Sequence, residues 1–354
     1  MFADCHFVRL AASAMIASVM VTGCREPRAA QPPSIEFAVV PQASAGGSDR
    51  MAPISGRVTG ARPGQQIVLF ARSGVWWVQP LTAEPFTRIE QDSTWKSRTH
   101  LGTEYGALLV GPGYRPPHTV DSLPQPGGDV VAVATITGTA DTAAPPKVLS
   151  FSGYQWEVRG VPSDRGGPNE YDSANAWVDA DGFLHLKLAL RDGRWTSAEV
   201  VLTRTLGYGT YVFTVRDVAN LDPAAAFGMF SWDDQSAEQN HRELDIEISQ
   251  WGDPKTPNGQ YVVQPYYVPA NVARFSAPAG TLTHSFRWEP GRASFRTVRG
   301  ARADGAAVAQ HEFTSGVPSP GGERVRMNLY FFRYAPAPPQ SDVEVVIERF
   351  QFLP

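Results

Sequence analysis

Cysteine is nearly absent from this sequence. Only Cys5 and Cys24 occur in 354 residues, and both lie near the start of the chain. The remaining 330 residues can therefore form neither a Cys-rich zinc site nor a disulfide framework, and thiol chemistry is excluded from them. Positive charge is not in excess either, since the formal net charge is -4 and the isoelectric point is near 6.0. This balance argues against a nucleic-acid partner and against broad adhesion to an anionic membrane surface.

Long amphipathic helical patterns are also missing, and short apolar runs separated by turn residues take their place. The 32 glycines and 30 prolines indicate turns between many short strands. With 42% hydrophobic and 19% charged residues, the chain can bury a sizeable core. The sequence therefore predicts an all-β protein.

The first 23 residues predict a lipoprotein signal peptide. Arg9 precedes an uncharged run from Leu10 to Val21, which has the length of a signal-peptide core and is too short to span a bilayer. The run ends in Val21-Thr22-Gly23-Cys24, which resembles the bacterial lipoprotein signal. That resemblance implies acyl chains, palmitate among them, on Cys24 and a membrane-anchored location in the bacterial cell envelope, outside the cytoplasm. An ordinary secretory leader that contains a cysteine is the alternative.

Composition divides the rest of the chain into four segments. Residues 24–53 are rich in Ala, Pro, Gln, Ser and Gly and predict a flexible tether. Residues 54–140 predict a small β domain, and a Pro-containing linker follows at 141–148. Residues 149–354 carry stronger strand signals and predict one large antiparallel sandwich.

One segment of the large domain alternates acidic and apolar residues. In order, its members are Glu243, Leu244, Asp245, Ile246, Glu247 and Ile248. In a strand, the three carboxylates project from one face and the three apolar side chains from the other. Same-face neighbours lie only about 6.6 Å apart, so the acids repel one another. Because no run of Lys or Arg stands on this strand to neutralise them, the pattern favours a functional site over a solvated outer strand.

Two glutamates that flank an aspartate suit retaining glycoside hydrolysis. In that reaction one carboxylate attacks the anomeric carbon and the other protonates the leaving oxygen, with the two groups about 5–5.5 Å apart. Residues four apart in a strand have Cα atoms about 13 Å apart, so Glu243 and Glu247 must lean together across a curved sheet. Asp245 between them would raise the pKa of one glutamate by like-charge repulsion, and hydrogen bonds would keep the nucleophile ionised.

The Glu243-Leu244-Asp245-Ile246-Glu247 segment resembles the signature of family 16 glycoside hydrolases. Members of this family are curved, concanavalin A-like β-jelly-roll sandwiches that act on β-glucans and galactans. The form without a bulge residue is more similar to lichenases and xyloglucan transglycosylases than to laminarinases. The resemblance implies that Glu243 is the nucleophile, Asp245 the assisting residue and Glu247 the general acid/base.

Further blocks extend the resemblance from about Phe151 to Pro354. They are Trp195–Glu199 with Tyr208–Tyr211, Gly228–Trp232, Gln264–Tyr267 and His284–Gly291. His284 departs from the family pattern because it lies four rather than six residues before Trp288. No role is therefore carried over to it.

A glucan cleft needs aromatic platforms for the apolar faces of sugars and polar groups at the rim. Trp232 and Trp251 flank the acidic strand and are the candidate platforms, with core packing as the alternative for Trp232. Gln264 is a candidate contact to a sugar hydroxyl, or else a structural amide. Tyr266 and Tyr267 would point to opposite faces of a strand, so at most one would line the cleft.

The predicted fold is thus a concanavalin A-like β-jelly-roll sandwich preceded by a small β-sandwich-like domain. The predicted function is that of a lipid-anchored, retaining endo-β-glycanase with a polysaccharide substrate. The alternatives are a transglycosylase that uses the same residues and a non-catalytic glycan-binding lipoprotein. No cofactor and no metal site are predicted; a structural calcium ion is compatible with the family but is not predicted, and no pattern specifies an oligomeric state. The small domain is either a carbohydrate-binding module or a packing domain that stiffens the tether.

Overall fold

A computed structural model describes residues 32–44, 51–81, 83–140, 145–163, 167–236 and 240–354. The predicted signal peptide, the lipidation residue Cys24, and residues 25–31 and 45–50 of the predicted tether lie outside these residues. Apart from two short 3-10 helices, at Ser173–Asn175 and Pro269–Asn271, the regular elements of the described residues are all strands. Within the described ranges, no helix has the length and apolarity needed to cross a membrane. The prediction of an all-β fold is confirmed.

The small domain is built from two sheets. Its strands are β1 (Ser34–Val39), β2 (Met51–Thr59), β3 (Gln66–Ser73), β4 (Val75–Gln79), β5 (Phe86–Thr87), β6 (Thr94–His100), β7 (Glu104–Val110), β8 (Thr119–Val120) and β9 (Val130–Thr137). One sheet has the order β1-β2-β6 and the other β8-β4-β3-β7-β9, with β5 beside β3. Ile54 and Trp95 of the first sheet pack in one buried cluster with Ile67 and Tyr105 of the second. This packing makes the domain a small β sandwich, as the sequence predicts.

The tether prediction is wrong for part of its length. Strand β1 lies inside residues 24–53, pairs antiparallel with β2, and buries Ile35 in the core of the small domain. Alternation of Ile35 and Phe37 with polar or small neighbours is a strand pattern, but the surrounding proline and alanine obscure it in the composition.

The large domain is a two-layered jelly-roll sandwich. Its strands are β10 (Val148–Phe151), β11 (Tyr154–Val158), β12 (Glu170–Tyr171), β13 (Ala176–Val178), β14 (Leu184–Arg191), β15 (Arg194–Leu202), β16 (Gly209–Val215), β17 (Ala225–Trp232), β18 (Leu244–Ser249), β19 (Gly259–Val263), β20 (Val272–Phe275), β21 (Leu282–Glu289), β22 (Arg292–Arg299), β23 (Ala307–Phe313), β24 (Arg324–Phe331) and β25 (Val343–Leu353). The front sheet runs β20-β19-β18-β17-β24-β15-β11-β10, and the back sheet runs β13-β14-β25-β16-β21-β22-β23. Strand β15 joins the sheets because it pairs with both β24 and the end of β14.

The core of the large domain lies between the two sheets. Phe227 and Ile246 from the front sheet meet Phe213, Phe286 and Trp288 from the back sheet, and all five side chains are fully buried. This core fixes which face of each front strand points inward. The opposite face of the front sheet is therefore the surface on which a site can form.

Candidate active site

Strand β18 separates its apolar and acidic side chains onto two faces. Leu244, Ile246 and Ile248 are fully buried in the core between the sheets. Asp245 and Glu247 alternate with them and so project from the outer face of the front sheet. Glu243 immediately precedes the strand, and its carbonyl oxygen accepts a hydrogen bond from the Gln264 amide, which continues the pairing with the next segment.

Neighbouring strands supply the floor around these carboxylates. On β17, Phe230 pairs with Asp245 and Gly228 pairs with Glu247. Gly228 also pairs with Asn328 on β24. A Cβ atom at position 228 would lie 2.7 Å from Asn328 Oδ1, so glycine leaves room for that carboxamide to lean toward β18. Asn328 is buried, and its Oδ1 has no hydrogen-bond partner among the described residues.

Two glutamine side chains hold the carboxylates of β18. Gln264 Nε2 donates to Asp245 Oδ2 at 2.9 Å, and Gln260 Nε2 donates to Glu247 Oε2. Asp245 also shares a side-chain hydrogen bond with Glu243. Glu243, Asp245 and Gln264 are thus joined by hydrogen bonds, and Glu247 with Gln260 forms a second hydrogen-bonded pair in the same row along the outer face.

Burial raises the pKa of both acids within the strand. For Asp245, burial is the largest cause, the charges of Glu243 and Glu247 add to it, and the Gln264 hydrogen bond opposes it. For Glu247, burial again raises the pKa, while the Gln260 hydrogen bond and the charge of Arg274 oppose it. The expected rise in the pKa of one glutamate is present, but its main cause is desolvation rather than repulsion from Asp245. Both shifts favour the protonated forms of Asp245 and Glu247.

Similar folds have been solved. A β-glucanase of Bacillus licheniformis matches with a TM-score of 0.44 and 16% identity over 60% of this chain and 100% of its own. A pseudo β-1,3-glucanase of Mycobacterium tuberculosis matches with a TM-score of 0.43 and 17% identity over 56% of this chain and 90% of its own. LamAcat of Zobellia galactanivorans matches with a TM-score of 0.42 and 13% identity over the same shares, 56% and 90%. No protein-family model and no curated protein sequence matches the chain. Residue roles are therefore argued from the geometry of this chain.

The two tryptophans named as candidate platforms are both covered by another side chain. Trp232 is buried, and its ring stacks on His241 with centroids 4.2 Å apart. The ring of Trp251 lies under the guanidinium of Arg274, whose Cζ is 3.9 Å from the ring centroid. Arg274 thus connects Trp251 to Glu247, whose pKa it lowers. These contacts favour the packing alternative for Trp232 and a positioning contact for Trp251.

Gln264 uses both ends of its amide within the protein. Besides donating to Asp245, it accepts a hydrogen bond from the Tyr266 backbone amide at 2.8 Å. Tyr266 and Tyr267 follow the end of β19 and are each 68% exposed, so the opposite-face argument made for a strand does not apply to them. Their rings form an exposed aromatic pair with centroids 6.0 Å apart, next to the residue that holds Asp245.

Sequence reasoning did not find several residues around the carboxylates. Gln260 lies four residues before Gln264 on the same face of one segment, which is a signal the sequence contains. Arg274 and Tyr330 have no such signal, because they reach the site only through strand pairing. Burial raises the pKa of Tyr330 well above its ordinary value, and the negative charges of all three carboxylates add to this rise.

His284 has a structural environment. It is fully buried within the sandwich on β21, and its Nδ1 lies 2.9 Å from Thr297 Oγ1. Burial lowers the pKa of His284 to about 3, so the ring is neutral at physiological pH. This agrees with carrying no catalytic role over to it. Within the described ranges, no group of three or more His, Cys, Asp or Glu side chains is arranged to hold a metal ion.

Proposed function

We propose that this protein is a retaining glycoside hydrolase that cleaves internal glycosidic bonds of β-glucan-type polysaccharides. The observation that carries the proposal is the row of Glu243, Asp245 and Glu247 on the outer face of the front sheet, with Gln260 and Gln264 as hydrogen-bond donors. Three neighbouring acids, two of them with raised pKa values, destabilise a fold, and such groups cluster where chemistry uses them. The substrate class follows from the resemblance of the acidic segment and its flanking blocks to family 16 glycoside hydrolases.

In the first step, the Glu243 carboxylate attacks the anomeric carbon while Glu247 donates its proton to the glycosidic oxygen. The bond between the anomeric carbon and that oxygen breaks, a glycosyl ester forms on Glu243, and the leaving sugar departs with the proton. Burial raises the pKa of Glu247, which favours the protonated form that this task needs. Burial also raises the pKa of Asp245, and its protonated form would donate the hydrogen bond that it shares with Glu243, which stabilises a negative charge on the nucleophile.

In the second step, the Glu247 carboxylate accepts a proton from a water molecule that attacks the anomeric carbon. The ester to Glu243 breaks, and the product has the same anomeric configuration as the substrate. If a sugar hydroxyl takes the place of water, the same residues perform transglycosylation. The exposed Tyr266 and Tyr267 rings offer apolar faces on which pyranose rings could pack beside the site.

The first test incubates the full chain with a panel of β-glucans and measures new reducing ends. Glu243→Ala should lower the rate about a thousandfold or more, equivalent to about 4 kcal/mol of transition-state stabilisation. Glu312→Gln, at an exposed position of the back sheet, is the control and should match the wild type. Equal rates for Glu243→Ala and the wild type would refute the proposal.

Azide separates the two glutamate roles. With an activated aryl glycoside, azide should restore turnover to Glu243→Ala by attacking the face that the missing carboxylate leaves open, giving a product of inverted configuration. With Glu247→Ala, azide should attack the glycosyl ester and give a product of retained configuration. The reverse assignment of configurations would exchange the two roles.

The other candidate functions give different products. Longer oligosaccharides without a matching rise in reducing ends would indicate a transglycosylase. Saturable glycan binding without any product would indicate a glycan-binding protein.

We further propose that the mature protein is anchored in the bacterial cell envelope by acyl chains on Cys24. The support is the Val21-Thr22-Gly23-Cys24 segment after the apolar run. The wild type should partition into the detergent phase, and mass spectrometry should detect the acyl chains on residue 24. A Cys24→Ala protein that still partitions with membranes would contradict this proposal.

A further inference from the structure

The small domain contacts the loop that leads into Glu243. This β17–β18 loop comprises residues 233–243, of which the structure describes 233–236 and 240–243. Ser73, at the end of β3, donates a hydrogen bond from Oγ to the Asp234 carbonyl oxygen at 2.7 Å, across 161 residues of sequence. At the adjacent turn, a Cβ atom on Gly74 would lie 2.2 Å from the Gln235 carbonyl oxygen. The β3–β4 turn therefore fits against this loop without room for one additional methyl group.

A stack of three aromatic rings also crosses between the domains. Trp77 on β4 stacks on His241, with centroids 5.7 Å apart and an interplanar angle of 16°. His241 also stacks on Trp232, with an interplanar angle of 13°. The ring from the small domain thus packs against the residue two positions before the proposed nucleophile.

The loop reaches Glu243 through an unusual backbone conformation. His241 and Arg242 have φ angles of 48° and 55°, in the left-handed region that residues with a Cβ rarely adopt. Ser231 Oγ donates to the Arg242 carbonyl oxygen at 2.8 Å and accepts from the Leu244 amide at 3.0 Å. A strained conformation persists only where surrounding contacts enforce it. Contacts to this loop therefore affect the position of the Glu243 side chain.

The same loop is anchored to the front sheet by charge. Asp234 Oδ2 lies 2.5 Å from Arg326 Nη2 and 3.1 Å from Arg324 Nη2. Arg326 is buried and also pairs with the fully buried Glu199 at 3.1 Å. The side chain of Asp234 is thus held by the catalytic domain, and its backbone carbonyl is held by Ser73 of the small domain.

We propose that the small domain positions the nucleophile, with Ser73, Gly74 and Trp77 as positioning residues that act through the β17–β18 loop. The inference rests on the proposed function, because it assigns the nucleophile to Glu243. It differs from both roles considered from sequence, a carbohydrate-binding module and a packing domain that stiffens the tether. The Trp77 ring stacks on His241, a residue of the large domain.

The main test compares Gly74→Ala with Gly64→Ala in the full chain. Both glycines lie in turns of the small domain with positive φ, 71° and 84°, but nothing lies within 4 Å of a Cβ at position 64. Both variants therefore strain a turn, and only Gly74→Ala pushes on the Gln235 carbonyl. We expect Gly74→Ala to lower kcat on β-glucan about ten- to hundredfold with little change in KM, because a small misplacement of a reacting group has effects of this size.

Hydrogen–deuterium exchange measures the same coupling without activity. Amides of residues 233–236 and 240–243 should exchange faster in Gly74→Ala than in Gly64→Ala, with equal exchange in the core strands of the large domain. If the wild type proves inactive on every glycan, the proposed function fails, and this exchange comparison still decides whether the small domain holds the loop. Equal exchange and equal kcat in the two glycine variants would overturn the inference while leaving the proposed function intact.

Trp77 variants give an independent test should Gly74→Ala unfold the small domain. Trp77→Phe keeps a ring for stacking on His241 and should retain most of the wild-type kcat. Trp77→Ala should lower kcat and speed exchange in residues 233–236 and 240–243, with KM little changed. A change in KM alone, or no difference between Trp77→Phe and Trp77→Ala, would contradict positioning of the nucleophile by this ring.

Discussion

Burial has opposite effects on stability at the two faces of strand β18. On the inner face, Leu244, Ile246 and Ile248 are fully buried among apolar side chains, so their burial stabilises the fold. On the outer face, Asp245 is buried to a similar degree, at 3% exposure, but its ionised form loses the solvation of water. The same backbone therefore carries a stabilising row and a row that costs stability once its acids ionise.

Substitutions on the two faces should therefore have different effects. Changes on the inner face should alter the free energy of unfolding and leave the chemistry of the folded protein almost unchanged. Changes on the outer face should alter catalysis and raise stability where they remove a buried charge.

Ile246→Ala should have the largest effect on stability. Removing three methyl or methylene groups from a fully buried site leaves a cavity and should lower the free energy of unfolding by about 2–5 kcal/mol. Urea denaturation measures this loss, and Leu190→Ala, at a side chain 51% exposed, is the control. A loss as small as that of the control would mean that the inner face does not anchor the strand.

Asp245→Asn should stabilise the protein and impair catalysis. The pKa of Asp245 is higher in the folded state than in the unfolded chain, so the stability of the wild type falls as the pH rises from the unfolded value toward the folded one. Asparagine has no proton to lose, and it can still donate to Glu243 and accept from Gln264. At pH 7 the variant should be more stable by about 1 kcal/mol, with a much smaller gain at pH 4.

Urea denaturation at both pH values checks this expectation, with the exposed Asp121→Asn as the control. The rate on β-glucan should fall about a hundredfold. Equal or lower stability at pH 7 would show that the outer face does not oppose folding.

Gln260→Leu should produce the smallest effect, a shift in the pH profile. The Gln260 hydrogen bond lowers the pKa of Glu247, so its removal should raise that pKa further. Since Glu247 must be protonated to act as the acid, the alkaline limb of kcat/KM should move to higher pH. Gln155→Leu, at an exposed position, is the control. An alkaline limb that does not move in Gln260→Leu would mean that the titration of Glu247 does not determine this limb.

Local patterns were sufficient for the strand and its acids. Glu243, Asp245 and Glu247 could be found because alternation with Leu244 and Ile246 depends only on the period of a strand. Gln260 was within reach of the same reasoning, since it shares a face with Gln264. Arg274 was not, because its approach to Glu247 depends on the register of three strands, which no single segment contains.

The aromatic residues show the same limit. Composition and spacing identify Trp232 as near the acidic strand, but the stack with His241 and Trp77 depends on how two domains meet. Strand β1 was hidden for a similar reason, because pairing with β2 orders a segment whose composition favours a flexible chain.

The sequence by itself determined that the fold is all-β and that three acids stand on one face of a strand, because side-chain alternation is a local property of the backbone. Tertiary structure alone decided that the pKa values of Asp245 and Glu247 are raised, and which contacts hold these acids. Desolvation depends on what covers a group, and Ser73 reaches Asp234 only after two domains have folded and packed.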